Sequence, residues 1–472
     1  MDTVAAVDIG ATSGRVMVAR IGDSGPVLSE AARFANHPQQ VDGRWVWDIR
    51  TLHREVTAGL EHARALGASA WGIDTWAVDY AVLRAGEITG PVYAYRDPGH
   101  AAGMALVDAQ IDWPTLYGIT GIQRMPINTV YQIAADTPQR LVPGSTFLMV
   151  PDVLTYLATG SLVTDITNAS STGLVDPRTR QWAPEVFAAL GLEGSCFLEP
   201  DEPGQVRGET FEVGGLPLIG VATHDTASAF AGAPVRDRDQ ALILSLGTWA
   251  LIGAEVIGAV PNEQARVMNL THELGVDGTV RVLRNVCGMW LLEECRRAWA
   301  RQDGAEPQVP ALLQAAAAAP ALATIFDVDA PELAAPGQTP ESIERHLVGR
   351  WDGSRGSVVR TILESLVWRI AERAHQVEEH LGTSRPILHV VGGASRMDMV
   401  MQWLADATGK QVIAGPVEAT ALGNAAVQWR TLGAVDTLAQ ARTLIAGLPE
   451  IRSFAPVGNH QDWQEFGTRL TA

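Results

Sequence analysis

Residues 222–228 read ATHDTAS, directly after the apolar run LPLIGV. On the turn that ends such a strand, Asp225 can accept a proton from a hydroxyl, and it can equally cap the helix that follows. A second candidate is DIGATSGR, residues 8–15, where glycine permits close backbone approach and Thr12 and Ser13 add hydroxyl donors. Such a turn presents several N–H groups to one phosphate; on its own it reads equally well as a surface hairpin. SLGTW, residues 245–249, repeats the pattern. Two hairpins of one kind suit a polyphosphate gripped from opposite sides, with Asp8 near enough to hold a hydrated Mg²⁺. In LHVVGGAS, residues 388–395, a Gly-Gly turn lets a flat ring lie against bare backbone, or simply joins strand to helix. With a nucleotide held by the hairpins, Asp225 would orient an acceptor hydroxyl, because phosphoryl transfer asks the protein mainly for positioning and charge neutralisation.

Competing chemistries lack their residues. GATSG does not have the G-x-S-x-G spacing of a nucleophile elbow, and no stretch carries the G-x-G-x-x-G dinucleotide fingerprint. The only lysine, Lys410 in ATGKQV, has neither the glycine run nor the following Ser or Thr of a P-loop. His272 and Glu273 form an HE pair with no second histidine behind it, so a zinc site has no support.

The elements that must position these residues alternate in type. VAAVDIGATSGRVMVARIG and ALILSLGTWALIGAEV are each two apolar strands around a short turn, and they lie about half the chain apart. This internal duplication predicts two domains of related plan, 1–236 and 237–472, with the polar segment GAPVRDRDQ as the crossing point. IRTLHREVTAGLEHARAL and RTILESLVWRIAERAHQVEEHL carry apolar residues at helical spacing, and ILHVV reads as a strand. The expected class is mixed α/β.

Bulk properties agree. A chain of 472 residues exceeds one ordinary core, and 47% hydrophobic content suits a well-packed enzyme. The net charge of −18 argues against a polyanion-binding surface, hence against nucleic acid. Cys196, Cys287 and Cys295 have no CxxC spacing, which reads as reduced thiols. No apolar run is long enough to span a bilayer, and a cytoplasmic location is expected.

Taken together, AVDIGATSGRVM, GIDTWAVDY, AYRD, TGIQRMPINTVYQ, VATHDTASA, SLGTW, LRNVCGMWLLEECRR, HVVGGAS and GPVEATALGN make the chain resemble the FGGY carbohydrate kinases nearly end to end, and within them the bacterial rhamnulokinase subfamily. The resemblance implies an actin-like ATPase fold, two RNase H-like α/β domains around a central cleft. It implies transfer of a phosphoryl group from ATP, with Mg²⁺, to the 1-hydroxyl of L-rhamnulose. By resemblance, the base falls on Asp225. ATP contacts fall on Ala11, Thr12, Ser13, Gly14, Arg15, Thr248, Glu293 and Gly393, and sugar contacts on Ala77, His224, Asp225, Thr226 and Asn285. The expected partner is a small sugar, with no nucleic acid or membrane, and the expected state is a monomer or homodimer.

The chain departs from the family pattern at several points. Ala77 stands where relatives usually carry a sugar-contacting glycine, which leaves a kinase for another ketose, such as L-fuculose, as the alternative. Glu293 stands where an ATP-contacting Gln is common; its charge would weaken nucleotide binding unless paired. Ala394 replaces the third glycine of a GGG turn, and THELG differs from the family's TNEGG-like run. Glu293 and Ala394 motivate a third reading, a sugar-binding regulator without catalysis.

Overall fold

The computed structural model describes residues 3–136, 140–333, 337–458 and 460–470. The chain forms two compact units, and they are not two uninterrupted halves. Unit 1 comprises residues 1–236 together with Glu255–Leu283 and Glu418–Leu448; unit 2 comprises Asp237–Ala254, Arg284–Val417 and 449–472.

In unit 1, β1 (Thr3–Ile9), β2 (Ser13–Gly22) and β3 (Gly25–Ala35) form an antiparallel meander. On the other side of β1 lies β4 (Trp71–Thr75) in parallel, then β5 (Val206–Glu209) and β6 (Pro217–Ile219), giving the order β5-β6-β4-β1-β2-β3. The uninterrupted apolar run of β1 follows from burial on both faces. Ala5, Val7 and Ile9 pack with Leu52, Val56 and Leu60 of the helix Ile49–Ala65, while Val4 packs with Ala425, Ala426 and Trp429. Alternate side chains thus serve two cores. Asp48 starts the helix Ile49–Ala65 by accepting from the Thr51 N–H.

Two further helices frame the strand ends: α1 (Asp225–Ala231) and α2 (Ala419–Thr431). They pack backbone to backbone. A methyl group at Gly232 would stand 2.0 Å from the Ala419 carbonyl oxygen. The small-residue sequence ATALGNAA is what this closeness requires.

In unit 2, β7 (Ala241–Leu246) and β8 (Trp249–Val256) form the second antiparallel hairpin. Beyond β7 run β9 (Ile387–Val391) and β10 (Gln411–Ala414), both parallel, and β11 (Arg452–Phe454), antiparallel. β1 and β7 therefore share one plan, an antiparallel hairpin partner on one side and a parallel strand on the other. The long helix Arg355–Leu381 is capped by Ser354, which accepts from the Ser357 N–H, and ends at the left-handed Gly382.

Candidate active site

Three strand ends of unit 1 are tied together by backbone. The Trp76 N–H donates to the Ile9 carbonyl at 3.1 Å, and the Thr75 N–H donates to the Thr223 carbonyl at 2.9 Å. The first hairpin turn, the segment around Ala77 and the ATHDT turn consequently share one edge of the sheet. Gly10 closes the hairpin by donating to Ser13 O at 2.9 Å, and the Asn36 side chain donates to Gly10 O at 2.7 Å. Ala11, Thr12 and Ser13 lie at its accessible tip. Gly14 is buried where a side chain would meet the Phe34 ring at 2.2 Å.

Behind the turn, register sets a line of charges. Asp8 on β1 is paired with Arg15 on β2 and with Asp74 on β4. Arg15 donates to Asp8 Oδ2 at 3.0 and 3.2 Å and pairs with Glu418 at 2.5 Å. Burial raises the Asp8 carboxyl even against the Arg15 charge. Asp74 is fully buried, and burial together with the Asp8 charge holds it well above the usual carboxylate range. One Asp74 oxygen accepts from Asn424 of α2 at 2.6 Å, and the other has no partner.

Asp225 is the first residue of α1, and His224 occupies the cap position with extended backbone and no capping bond from its side chain. Asp225 Oδ1 receives the Thr226 N–H at 2.6 Å and the Thr226 hydroxyl at 3.2 Å. His224 Nε2 lies 3.4 Å from the same oxygen. The side chain is 34% exposed, and burial of the site raises its carboxyl, with the neighbouring Asp8 charge adding to the rise and His224 opposing it. Thr223, just upstream, is anchored by donating its N–H and hydroxyl to Asp165 Oδ1, while Arg207 pairs with Asp165 Oδ2 at 3.0 Å.

The Ala77 segment is held as firmly. Val78 adopts φ 69°, a left-handed conformation costly for a β-branched residue. Its carbonyl accepts from the Thr129 hydroxyl at 2.6 Å and from Gln132 Nε2 at 3.1 Å. Asp79, next in sequence, accepts from Trp47 Nε1, Trp76 Nε1, the Tyr95 N–H and Gln132 Nε2 at 2.6 to 3.1 Å. Burial outweighs these four donors and brings its carboxyl up to about 7.

Unit 2 gathers its own predicted residues. Thr248 is exposed at the tip of the β7–β8 hairpin. The Met289 N–H donates to Gly247 O at 2.9 Å, and Gly288 lies so close that a side chain there would stand 2.5 Å from the Trp249 backbone. At Gly392, φ 92°, a side chain would stand 3.0 Å from Leu246 O, and Gly393 beside it borders open space. The second hairpin and the Gly-Gly turn thus meet. Asn285 is half-buried on the strand Val280–Cys287. Glu293 is gripped through both carboxylate oxygens by Arg296 at 2.7 Å, so its charge is paired.

The N-terminal domain profile of the FGGY family of carbohydrate kinases matches residues 3–230, and the C-terminal domain profile matches residues 242–432. The chain belongs to the FGGY family of carbohydrate kinases. This FGGY kinase is 38% identical to a rhamnulokinase of Bacteroides thetaiotaomicron over 96% of its own length and 95% of the relative's. A rhamnulokinase of Enterococcus faecalis is 35% identical, covering 94% and 92%. Among solved structures, a ligand-bound xylulose kinase from Lactobacillus acidophilus superimposes with a TM-score of 0.80 at 16% identity over 99% of this chain and 96% of that one. Plasmodium falciparum glycerol kinase with ADP gives 0.80 at 15% identity over 99% and 97%. The fold is the two-domain α/β fold of the sugar kinases, in the actin-like ATPase class.

Several residues packed around the candidate site were not among those expected from the sequence. Asp74 and Asp79 lay inside GIDTWAVDY, where only Ala77 was singled out. Glu273 and Arg281 face each other across the hairpin formed by Thr271–Leu274 and Val280–Cys287. Opposite charges eight residues apart around the turn GVDGT were the available signal. Among the described residues, no group of three His, Cys, Asp or Glu forms a metal-binding cluster.

Proposed function

We propose that this FGGY kinase transfers the γ-phosphoryl group of ATP to the 1-hydroxyl of L-rhamnulose, with Asp225 as general base. The observation that carries the reading is the joining of three strand ends, which brings Asp225, Ala77 and the first phosphate turn to one edge of one sheet. Similarity to rhamnulokinases over almost the whole chain supports the choice of sugar.

Asp225 takes the acceptor proton as the oxygen–phosphorus bond forms and the bond to the ADP oxygen breaks. His224, Thr226, Ala77 and Asn285 contact the sugar. Ala11, Thr12, Ser13, Gly14 and Arg15 contact the phosphates in unit 1; Thr248, Glu293 and Gly393 contact the nucleotide in unit 2. The donor chemistry at Asp8 fits a hydrated Mg²⁺: Oδ2 takes the Arg15 donors, and no described residue donates to Oδ1. A magnesium ion usually keeps several waters and binds one or two carboxylates plus substrate phosphates, and here it would supply neutralisation of phosphate charge. Apart from Asn285, the proposed sugar contacts lie in unit 1, and the proposed adenosine contacts lie in unit 2. Three free cysteines suit a cytoplasmic protein, and the proposed state is a monomer or homodimer.

The test is ADP release with Mg²⁺-ATP and L-rhamnulose, L-fuculose, L-xylulose or D-xylulose, with Asp225→Asn as control. Preference for L-rhamnulose, lost in the variant, supports the whole reading. Preference for another ketose keeps the kinase and redirects the sugar assignment to Ala77. Binding of sugar and ATP without turnover would replace the reading by a regulator.

A further inference from the structure

Unit 1 holds a buried charged network that the phosphoryl-transfer scheme leaves unused. Glu273 is 3% exposed and Arg281 is fully buried. Glu273 Oε2 lies 3.1 Å from Arg281 Nη2 and 3.3 Å from His224 Nδ1, ion-pair distances at which it makes no hydrogen bond in this geometry. Its other oxygen accepts from the Thr271 hydroxyl at 3.3 Å. Arg281 is tied down by donating to Leu274 O and Thr167 O at 3.2 to 3.4 Å. Arg281 and His224 together keep the Glu273 carboxyl below the usual range despite its burial. The imidazole of His224 therefore stands between two carboxylates, Glu273 at Nδ1 and Asp225 at Nε2.

Two hydrogen-bond donors converge on a single oxygen of Asp225, with the His224 imidazole beside them. The Thr226 N–H and hydroxyl donate to Oδ1, and His224 Nε2 stands 3.4 Å from it, at ion-pair distance. No described residue donates to Oδ2. A carboxylate oxygen that already accepts two hydrogen bonds is a poorer proton acceptor than its free twin, so the two oxygens of Asp225 are chemically distinct.

We propose that Glu273 is a positioning residue of the reaction: it accepts the Nδ1 proton of His224, His224 donates its Nε2 proton to Asp225 Oδ1, and Oδ2 is left as the oxygen that receives the sugar's proton. This rests on the reading of Asp225 as the base. The acceptor O–H bond breaks toward Oδ2 as the new O–P bond forms and ADP leaves with the electrons of the cleaved bond. The competing arrangement within the same cluster has Arg281 Nη2, 3.4 Å away, donating to Nδ1. Glu273 would then orient nothing. The other acidic groups near the cluster are Asp165, behind Thr223, and Glu255, whose fields both reach Arg281, and Asp8 and Asp74, whose fields reach Asp225 or each other.

Two measurements on the full chain test the proposal. With ¹⁵N-labelled histidine, the His224 ring signals are assigned by their loss in His224→Asn. Protons on both ring nitrogens, with the Nδ1 proton lost in Glu273→Gln, support the arrangement; an unprotonated Nδ1 in the unaltered protein overturns it. In the kinetic arm, Glu273→Gln lowers kcat by about ten- to a hundredfold, the scale of a misplaced reacting group, with the KM for ATP unchanged. Introduced into His224→Asn, the same change causes no further loss. Equal losses in both backgrounds refute action through His224. Glu273→Asp replaces Glu273→Gln if the latter does not fold. If the unaltered protein phosphorylates no ketose, the kinase reading fails, while the ring spectra still decide the orientation of His224.

Discussion

The carbonyl oxygen of Ser228 occupies the space that a side chain at Gly423 would need: a methyl group there would stand 1.8 Å away. Helices α1 and α2 meet through this point and through Gly232. Since α1 begins at Asp225 and α2 carries Asn424, which donates to Asp74, the contact sets the distance between two parts of the site. Gly423→Ala is expected to destabilise the protein by about 3 kcal/mol, because backbone rather than a movable side chain must yield. A thermal midpoint unchanged from the unaltered protein would show that the helices separate freely.

Asp225→Asn is expected to lower kcat by about 10² to 10⁴, the usual contribution of a general base, with the KM for ATP nearly constant. The Thr226 N–H bond remains available to the amide oxygen, so folding is preserved. Steady-state kinetics and a melting curve separate the two effects.

Ala77 sits in a segment fixed by the strained Val78 and by the four donors to Asp79. A methyl group on so rigid a support acts locally. Ala77→Gly should therefore change the ratio of kcat/KM between L-rhamnulose and a competing ketose by about tenfold, the scale set by one methyl group in a pocket. The KM for ATP should stay constant. An unaltered ratio would remove Ala77 from the sugar site.

Asp152 is buried with one oxygen unpartnered, and burial plus the nearby Asp165 charge push its carboxyl up to about 8, with Arg207 opposing. In the unfolded chain its value is about 3.9. Between these two values the folded state binds the additional proton, so stability falls as pH rises, by up to about 1.4 kcal/mol per pH unit from this group alone. The stabilisation is complete below the unfolded value and gone above the folded one. Asp152→Asn should flatten the decline of the thermal midpoint between pH 5 and 9 and raise the midpoint at pH 9. Parallel curves for the two proteins would assign the decline elsewhere.

The strands and turns that carry backbone contacts were legible, because apolar runs broken by Gly, Ser and Thr have a direct local reading. DIGATSG, SLGTW and VVGGAS each became the turn they resembled. Asp225 was legible as a residue that could do chemistry, although whether it capped the helix was open; the helix instead begins with it, after His224. What stayed hidden depends on pairing at a distance. Asn424 reaches Asp74 across 350 residues of sequence, and no local pattern announces it. Glu273 and Arg281 are charged residues on fully buried strand positions, which breaks the polarity pattern that strand reading relies on. The discontinuity of unit 1 was hidden for the same reason, since contacts between distant parts of the chain decide that Glu255–Leu283 and Glu418–Leu448 join it.

That discontinuity has a temporal side. A ribosome delivers β1 and its Asp8 first, Asp225 midway, and α2 only near the end. Until α2 emerges, the face of β1 carrying Val4 and Ala6 lacks its cover, and Asp74 lacks the donor from Asn424. The nascent chain must carry an unfinished first unit through the synthesis of nearly all the second, so a chain cut before residue 419 loses the half-built sheet as well as its own missing tail.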